Sequence, residues 1–78
     1  MLAEEVQKLV KDKLPDCEVH AQGEGNSFQV TVIGDVFNGM SPVKKQQLVY
    51  STVTEYIADG RIHAFTIKAY TPEQWDNL

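Results

Sequence analysis

The chain has 78 residues, with seven Lys and Arg against eleven Asp and Glu, and a formal net charge of −4 at pH 7. This length suits one domain over residues 1–78 with a modest core, and it leaves no room for a second lobe or a deep enzyme cleft. The negative charge opposes general attraction to nucleic-acid backbones, and the single cysteine, Cys17, excludes an internal disulfide and a multi-cysteine metal site.

The N-terminal segment predicts an amphipathic helix that ends at Pro15, which has no amide proton to donate. Its apolar residues recur at three- and four-residue spacing: they are Leu2, Val6, Leu9, Val10 and Leu14. The segment lacks the continuous apolar run of a signal peptide or membrane span. We therefore expect a soluble, unprocessed protein of the cytoplasm that does not bind membranes, and the lone cysteine agrees with that compartment.

Two alternating segments then predict a β-hairpin. In the first, one face carries Cys17, Val19 and Ala21, and the other carries Glu18, His20 and Gln22. In the second, one face carries Phe28, Val30 and Val32. Residues 23–27 between them have the composition of a turn.

A second helix is predicted to begin at Ser41, whose hydroxyl can cap it, with Pro42 at the first helical position. It is expected to continue to Asp59 and Gly60, where the glycine ends it. The predicted apolar face comprises Val43, Tyr50, Val53 and Ile57, and the predicted polar opening turn comprises Lys44, Lys45, Gln46 and Gln47.

Residues 62–70 predict a third strand that places His63, Phe65, Ile67 and Ala69 on one face. Thr71, Pro72 and Gln74 repeat the helix-start pattern and predict a short C-terminal helix. The element order α-β-β-α-β-α predicts an α/β (α+β) fold with helices on one face of a three-stranded sheet. If the second and third strands are neighbours they are parallel, because a helical crossover joins them, and the sheet is mixed.

His63 stands at the entrance of the third strand, where an apolar residue is the simpler choice. One interpretation is a half-buried histidine at the rim of the core, with a ring nitrogen bonded to the main chain or to water. The other is a metal ligand, because an imidazole on a rigid strand end presents a free nitrogen. The pattern alone does not choose between the two.

The other candidate residues give weaker signals. His20 is predicted to be solvated beside Glu18, and Cys17 to be a small buried hydrophobe. Lys44 and Lys45 are typical of a solvated helix start and could contact phosphate. The chain has no P-loop, GxGxxG, HExxH, GxSxG or CxxC motif, so we predict that it is not an enzyme.

The segments FNGMSPVKKQQLVY and RIHAFTIKAYTPEQW resemble the BolA family, and within it the bacterial IbaG-like branch. The family pattern is an F-x-G-x-S loop into a helix, then I-H-A with a strand and a P-x-x-W helix. The resemblance covers nearly the whole chain and implies a fold similar to a class II KH domain, although the GxxG loop of KH RNA binders is absent. The matching residues are Phe37, Gly39, Ser41, Val43, Tyr50, Ile62, His63, Ala64, Lys68, Pro72, Glu73 and Trp75.

The resemblance implies a non-catalytic adaptor in iron–sulfur trafficking, iron homeostasis or stress response. BolA-like proteins bind monothiol glutaredoxins and share a [2Fe–2S] cluster with them and with glutathione. The family's ligand is the histidine of the I-H-A motif, which falls on His63. An imidazole in place of a thiolate raises the reduction potential, as in Rieske-type centres, and makes the bond sensitive to protons.

The chain departs from the family pattern between the first two strands, where many members carry a second Cys or His. Residues 23–27 contain neither, and Ser27 stands where close relatives can have histidine. A second ligand must then be His20, approaching from its strand, or a weaker oxygen donor or water. Cys17 is a poorer substitute because it is predicted to point inward.

The alternative function is a transcriptional regulator that binds nucleic acid, as some BolA relatives are described. Lys44, Lys45 and Lys68 would then contact phosphates, but the net charge of −4 disfavours DNA binding. The sequence does not distinguish a monomer from a homodimer.

Overall fold

The computed structural model of the protein describes all residues from Met1 to Leu78. No helix in it has the length and apolar composition of a membrane span. In chain order the elements are α1 (Ala3–Lys13), β1 (Glu18–Glu24), β2 (Ser27–Ile33), a 3₁₀ turn (Asp35–Phe37), α2 (Pro42–Ser51), α3 (Thr54–Ala58), β3 (Ala64–Tyr70) and α4 (Pro72–Asp76).

The three strands form one sheet in the order β1-β2-β3. β1 and β2 are antiparallel, with Val19 opposite Val32, and β2 and β3 are parallel, with Val30 opposite Ile67. The predicted mixed sheet is therefore confirmed. The hairpin turn is shorter than the predicted five residues and consists of Gly25 and Asn26; Gly25 has φ +68°, which a glycine adopts without strain.

Apolar side chains from one face of the sheet and from the helices form the core. The register aligns the inward residues of the three strands, so that Ala21, Val30 and Ile67 lie in one row across the sheet. The fully or nearly fully buried members are Val6, Val10, Cys17, Val19, Phe28, Val30, Val32, Phe37, Val49, Val53, Ile62 and Ile67. The predicted inward faces of β1 and β2 are thus confirmed, and so is that of α1 apart from Leu2.

The predicted caps are also present. Ser41 Oγ accepts a hydrogen bond from Lys44 N at 3.3 Å, with Pro42 at the first position of α2. Thr71 Oγ1 accepts from Gln74 N at 3.1 Å, and Gln74 Oε1 accepts from Thr71 N at 2.9 Å. These reciprocal bonds begin α4 directly after β3 and so fix the end of that strand.

The prediction of one continuous second helix is wrong, because the segment is divided into α2 and α3. At the break, the Ser51 and Thr52 hydroxyls donate to the carbonyls of Leu48 and Val49, both at 2.6 Å. These side-chain bonds compete for carbonyl oxygens that a continuing helix would use. Val53 then leaves helical geometry at φ −128° while remaining fully buried.

The predicted buried face of this segment is also partly wrong. Val43 and Tyr50 are 63% and 44% exposed, whereas Lys45 is only 7% exposed. Lys45 and Val49 are four residues apart and therefore share the inward face of α2. The apolar stem of Lys45 is covered, and its ammonium donates to Gln74 Oε1 at 2.8 Å, so the charge stays paired with a polar group. Leu2, predicted in the stripe of α1, precedes that helix and is exposed.

A methyl group at Gly34 is expected to destabilise the fold by about 1–3 kcal/mol, because an added Cβ would overlap the buried Cys17 Sγ and overpack the core. Urea unfolding of Gly34→Ala measures this loss. Removing the sulfur makes room for the methyl group, so Gly34→Ala combined with Cys17→Ala is expected to cost less than the sum of the two single changes. Additive losses would contradict the steric explanation.

Candidate metal-ligand site at the start of strand β3

His63 precedes β3 directly, and its side chain is exposed. Its main-chain nitrogen donates to the Asn26 carbonyl at 2.7 Å, and Ala64 N donates to the same oxygen at 3.2 Å. One carbonyl of the hairpin turn therefore holds the start of β3. This exposure excludes the interpretation of His63 as a half-buried histidine at the rim of the core, and it leaves the imidazole accessible to a partner.

The residue before the histidine anchors it to the core. Ile62 is 1% exposed, and its main-chain nitrogen donates to the Tyr56 carbonyl at 3.0 Å. The main chain at His63 is thus held on one side by a buried side chain and on the other by the turn at Asn26. This arrangement gives an accessible side chain a well-defined backbone.

A polar cluster supports the loop between α3 and β3. Arg61 Nη2 lies 2.7 Å from Asp59 Oδ2, and Asp59 Oδ1 accepts from Arg61 N at 3.0 Å. The Arg61 guanidinium also lies over the Tyr56 ring, with Cζ 4.4 Å from the ring centroid. The side-chain and main-chain hydrogen bonds from Arg61 lower the pKa of the Asp59 carboxyl below its usual value. Sequence reasoning missed this cluster; its one signal is an aspartate two residues before an arginine at a glycine-containing turn.

His20 does not lie near His63. The register puts His20 of β1 in line with Thr31 of β2 and Lys68 of β3. Lys68 follows His63 by five residues in the chain. At about 3.3 Å per residue this is about 16 Å along the sheet, to which two strand spacings are added. Within one chain, His20 is therefore too far from His63 to supply the predicted second ligand to the same metal centre. Instead, His20 Nε2 lies 3.4 Å from Glu18 Oε2, exposed to solvent as predicted.

Cys17 is a buried side chain at 3% exposure and lies on the inward face of the sheet. Burial raises the pKa of its thiol, which disfavours the thiolate form that binds metals. The prediction of a small buried hydrophobe agrees with this environment. The only thiol of the chain is thus unsuited to be a ligand.

The donor set limits what the chain can hold by itself. No group of three or more His, Cys, Asp or Glu side chains is arranged to hold a metal ion. The turn beside His63 contains Gly25 and Asn26, with no thiol or imidazole. The chain can therefore supply one imidazole to a metal centre whose other strong ligands come from another molecule. Its residues do not fit a cluster that this chain holds alone.

The three lysines proposed for phosphate contact do not form one patch. Lys44 is exposed at the start of α2, Lys45 is buried against Gln74, and Lys68 lies on the polar face of the sheet beside Thr31. Lys45 is therefore not available to a nucleic acid. The geometry provides no observation that favours the nucleic-acid-binding alternative.

Comparison with known proteins gives consistent results. The family model for BolA-like proteins matches residues 4–74. The acid stress protein IbaG of Escherichia coli K12 is 55% identical over 71 residues, which cover 91% of this chain and 84% of that protein. The structure of a bolA protein homologue from Coxiella burnetii has a TM-score of 0.86 at 25% identity and covers 97% of both chains. Yeast Fra2 has a TM-score of 0.78 at 26% identity, covering 100% of this chain and 87% of that one. These names denote no enzymatic activity, which is consistent with a non-enzymatic role.

Arg61→Ala is expected to raise the pKa of Asp59 towards the usual value of 3.8, because it removes the side-chain hydrogen bond that is the largest cause of the lowering, while the main-chain bond from residue 61 remains. The ion pair therefore stabilises the loop at pH values above 3.8, and this stabilisation is lost as the pH falls through the lowered pKa of Asp59. Carbon-13 NMR titration of the Asp59 carboxyl measures the midpoint, and Arg61→Lys is the control that keeps the charge. An equal midpoint in wild type and Arg61→Ala would refute the assigned cause.

Proposed function

The chain belongs to the BolA family, and we propose that it is a non-catalytic adaptor that binds a monothiol glutaredoxin. In this proposal His63 is the ligand that the chain contributes to a [2Fe–2S] cluster shared with the glutaredoxin and glutathione. The observation that carries the proposal is the exposed imidazole of His63 on a main chain held by Asn26 and Ile62. A ligand needs this combination of a fixed position and free access.

The donor set supports a shared cluster. Iron–sulfur clusters are bound mainly by thiolates, and the only thiol here is the buried Cys17. The remaining ligands must therefore come from the partner and its glutathione. The hairpin turn beside His63 offers at most oxygen donors, so His63 is the one strong ligand that this chain contributes.

The bound cluster supplies the iron–sulfur and electron-transfer chemistry, while the residues of the chain fix the geometry of its ligand. The Asn26 carbonyl holds the main chain at His63 and Ala64, and the buried Ile62 prevents the segment from moving away from the core. Asp59 and Arg61 brace the loop before it. A protonated imidazole cannot bind metal, so such a site responds to acid. This property agrees with a role in stress response, which the name of the E. coli relative indicates for that protein.

Anaerobic cluster reconstitution of the chain with a monothiol glutaredoxin and glutathione tests the proposal. Visible absorption and circular dichroism are expected to show a spectrum that differs from that of the glutaredoxin homodimer. His63→Ala is expected to abolish this difference, because the one thiol of the chain is buried and the other imidazole, that of His20, lies far along the sheet. Far-UV circular dichroism verifies that the variant is folded.

His20→Ala is the matched control, since His20 is the only other histidine and is also exposed to solvent. It is expected to leave the mixed spectrum unchanged, because His20 lies far along the sheet from His63. A spectrum that survives His63→Ala, or one that requires His20, would reject the assignment of the ligand. A mixture that shows only the glutaredoxin spectrum would reject the shared cluster.

A further inference from the structure

β3 forms one edge of the sheet, and alternate residues of it direct their main-chain groups away from β2. Ala64 N donates to Asn26 O, and Gly34 N donates to Tyr70 O at 3.0 Å, so the even-numbered residues of β3 bond towards β2. In a parallel pair the intervening residues bond outward. The N–H and C=O groups of Phe65 and Ile67 therefore point to the free edge.

The opposite edge of the sheet is covered more fully. On β1, Gln7 Oε1 accepts from Ala21 N at 3.0 Å, and Lys11 Nζ donates to the carbonyl of Cys17, the residue before the strand, so two side chains of α1 cover this edge. On β3, Gln46 Nε2 donates to the Ile67 carbonyl at 2.9 Å. No side chain bonds to the main chain of Phe65, which leaves a short unpaired stretch of edge next to His63.

A groove of about 450 Å³ runs beside this stretch, between β3 and the α2–α3 segment. Tyr50 and Phe65 provide its apolar walls, and Ser51 and Thr54 contribute hydroxyls. No charged side chain lines it. The groove accounts for the 44% exposure of Tyr50, a large aromatic residue at a position where sequence periodicity predicts burial.

We propose that this edge and groove are the docking site of an extended segment of the partner that shares the His63 site, which adds a strand to β3 at Phe65. The main-chain groups of Phe65 would pair with the segment, and one of its uncharged side chains would enter the groove between Tyr50 and Phe65. An edge strand flanked by a helix is the arrangement by which several domains bind extended peptides. Phe65 is two residues from His63, about 7 Å along the strand, so the segment reaches the ligand. The inference rests on the proposed function for the identity of the partner.

Charge and hydrogen bonding favour a partner over a second copy of the chain. Each copy carries a net charge of −4, so two copies repel, whereas a groove without charged side chains suits an uncharged segment of another protein. If two copies of β3 paired antiparallel about Phe65, His63 of one copy would lie opposite Ile67 of the other. The Ile67 carbonyl already accepts a hydrogen bond from Gln46 in each copy. A short partner segment at Phe65 displaces neither glutamine.

Tyr50→Lys tests the groove, because it places an ammonium among uncharged walls. Val43→Lys is the matched control, since Val43 is also an exposed apolar residue of α2 but does not line the groove. We expect Tyr50→Lys to weaken binding of cluster-free monothiol glutaredoxin by about tenfold or more in calorimetric titration, as for loss of an aromatic anchor, and Val43→Lys to leave it unchanged. Urea unfolding of both variants verifies the fold.

Hydrogen exchange measured by NMR tests the edge independently. The Phe65 amide is expected to exchange freely in the isolated chain and to become protected with glutaredoxin, while the Ala69 amide at the far end of the same edge does not change. Three results together overturn this docking site and leave the proposed function intact. They are a mixed spectrum that depends on His63, equal effects of Tyr50→Lys and Val43→Lys on binding, and a Phe65 amide that stays unprotected in the complex. Absence of any complex overturns both. Protection of Phe65 that rises with the concentration of the chain alone assigns the edge to a second copy and also overturns the proposal.

Discussion

The parallel pairing of β2 with β3 is the constraint on which the rest of the structure depends. Parallel strands begin at the same end of a sheet, so the register that sets Ser27 opposite Ala64 brings the hairpin turn next to His63. The Asn26 carbonyl can then accept the two amides that open β3. The same pairing requires a crossover from one end of the sheet to the other, and α2 and α3 are that crossover. Topology thus places both the candidate ligand and the groove beside it.

Most of the fold follows from local signals in the sequence. Alternation identified the strands, and Ser41 with Pro42 and Thr71 with Gln74 identified the helix starts, because caps act through neighbouring residues. The break after Ser51 was not predictable from hydrophobic periodicity, since it depends on where two hydroxyls direct their hydrogen bonds. The burial of Lys45 also escaped that pattern, because it requires a polar partner on α4, 29 residues away in the chain.

The candidate site was only partly predictable for a related reason. Strand parity correctly placed His20 on the outer face of β1, and the resemblance to the BolA family identified His63. Whether two residues on different strands meet, however, depends on the register between strands, which is a property of the tertiary structure. That register separates His20 from His63. The brace formed by Asp59 and Arg61 depends on side-chain geometry after a helix end and carries little sequence signal.

On the proposed function, the lack of a thiol or imidazole in the hairpin turn changes how the complex is stabilised. A chain that contributes two ligands to a shared cluster gains much of its affinity from the metal, whereas this chain contributes only His63 as a strong ligand. Contacts between the two proteins must then supply more of the binding free energy. The free main-chain groups at Phe65 and the uncharged groove at Tyr50 are adjacent to the ligand and are not used by the fold. Protein contacts formed there would hold the partner close to His63 independently of the ligand, so the complex would depend less on the cluster than one in which the chain supplies two ligands.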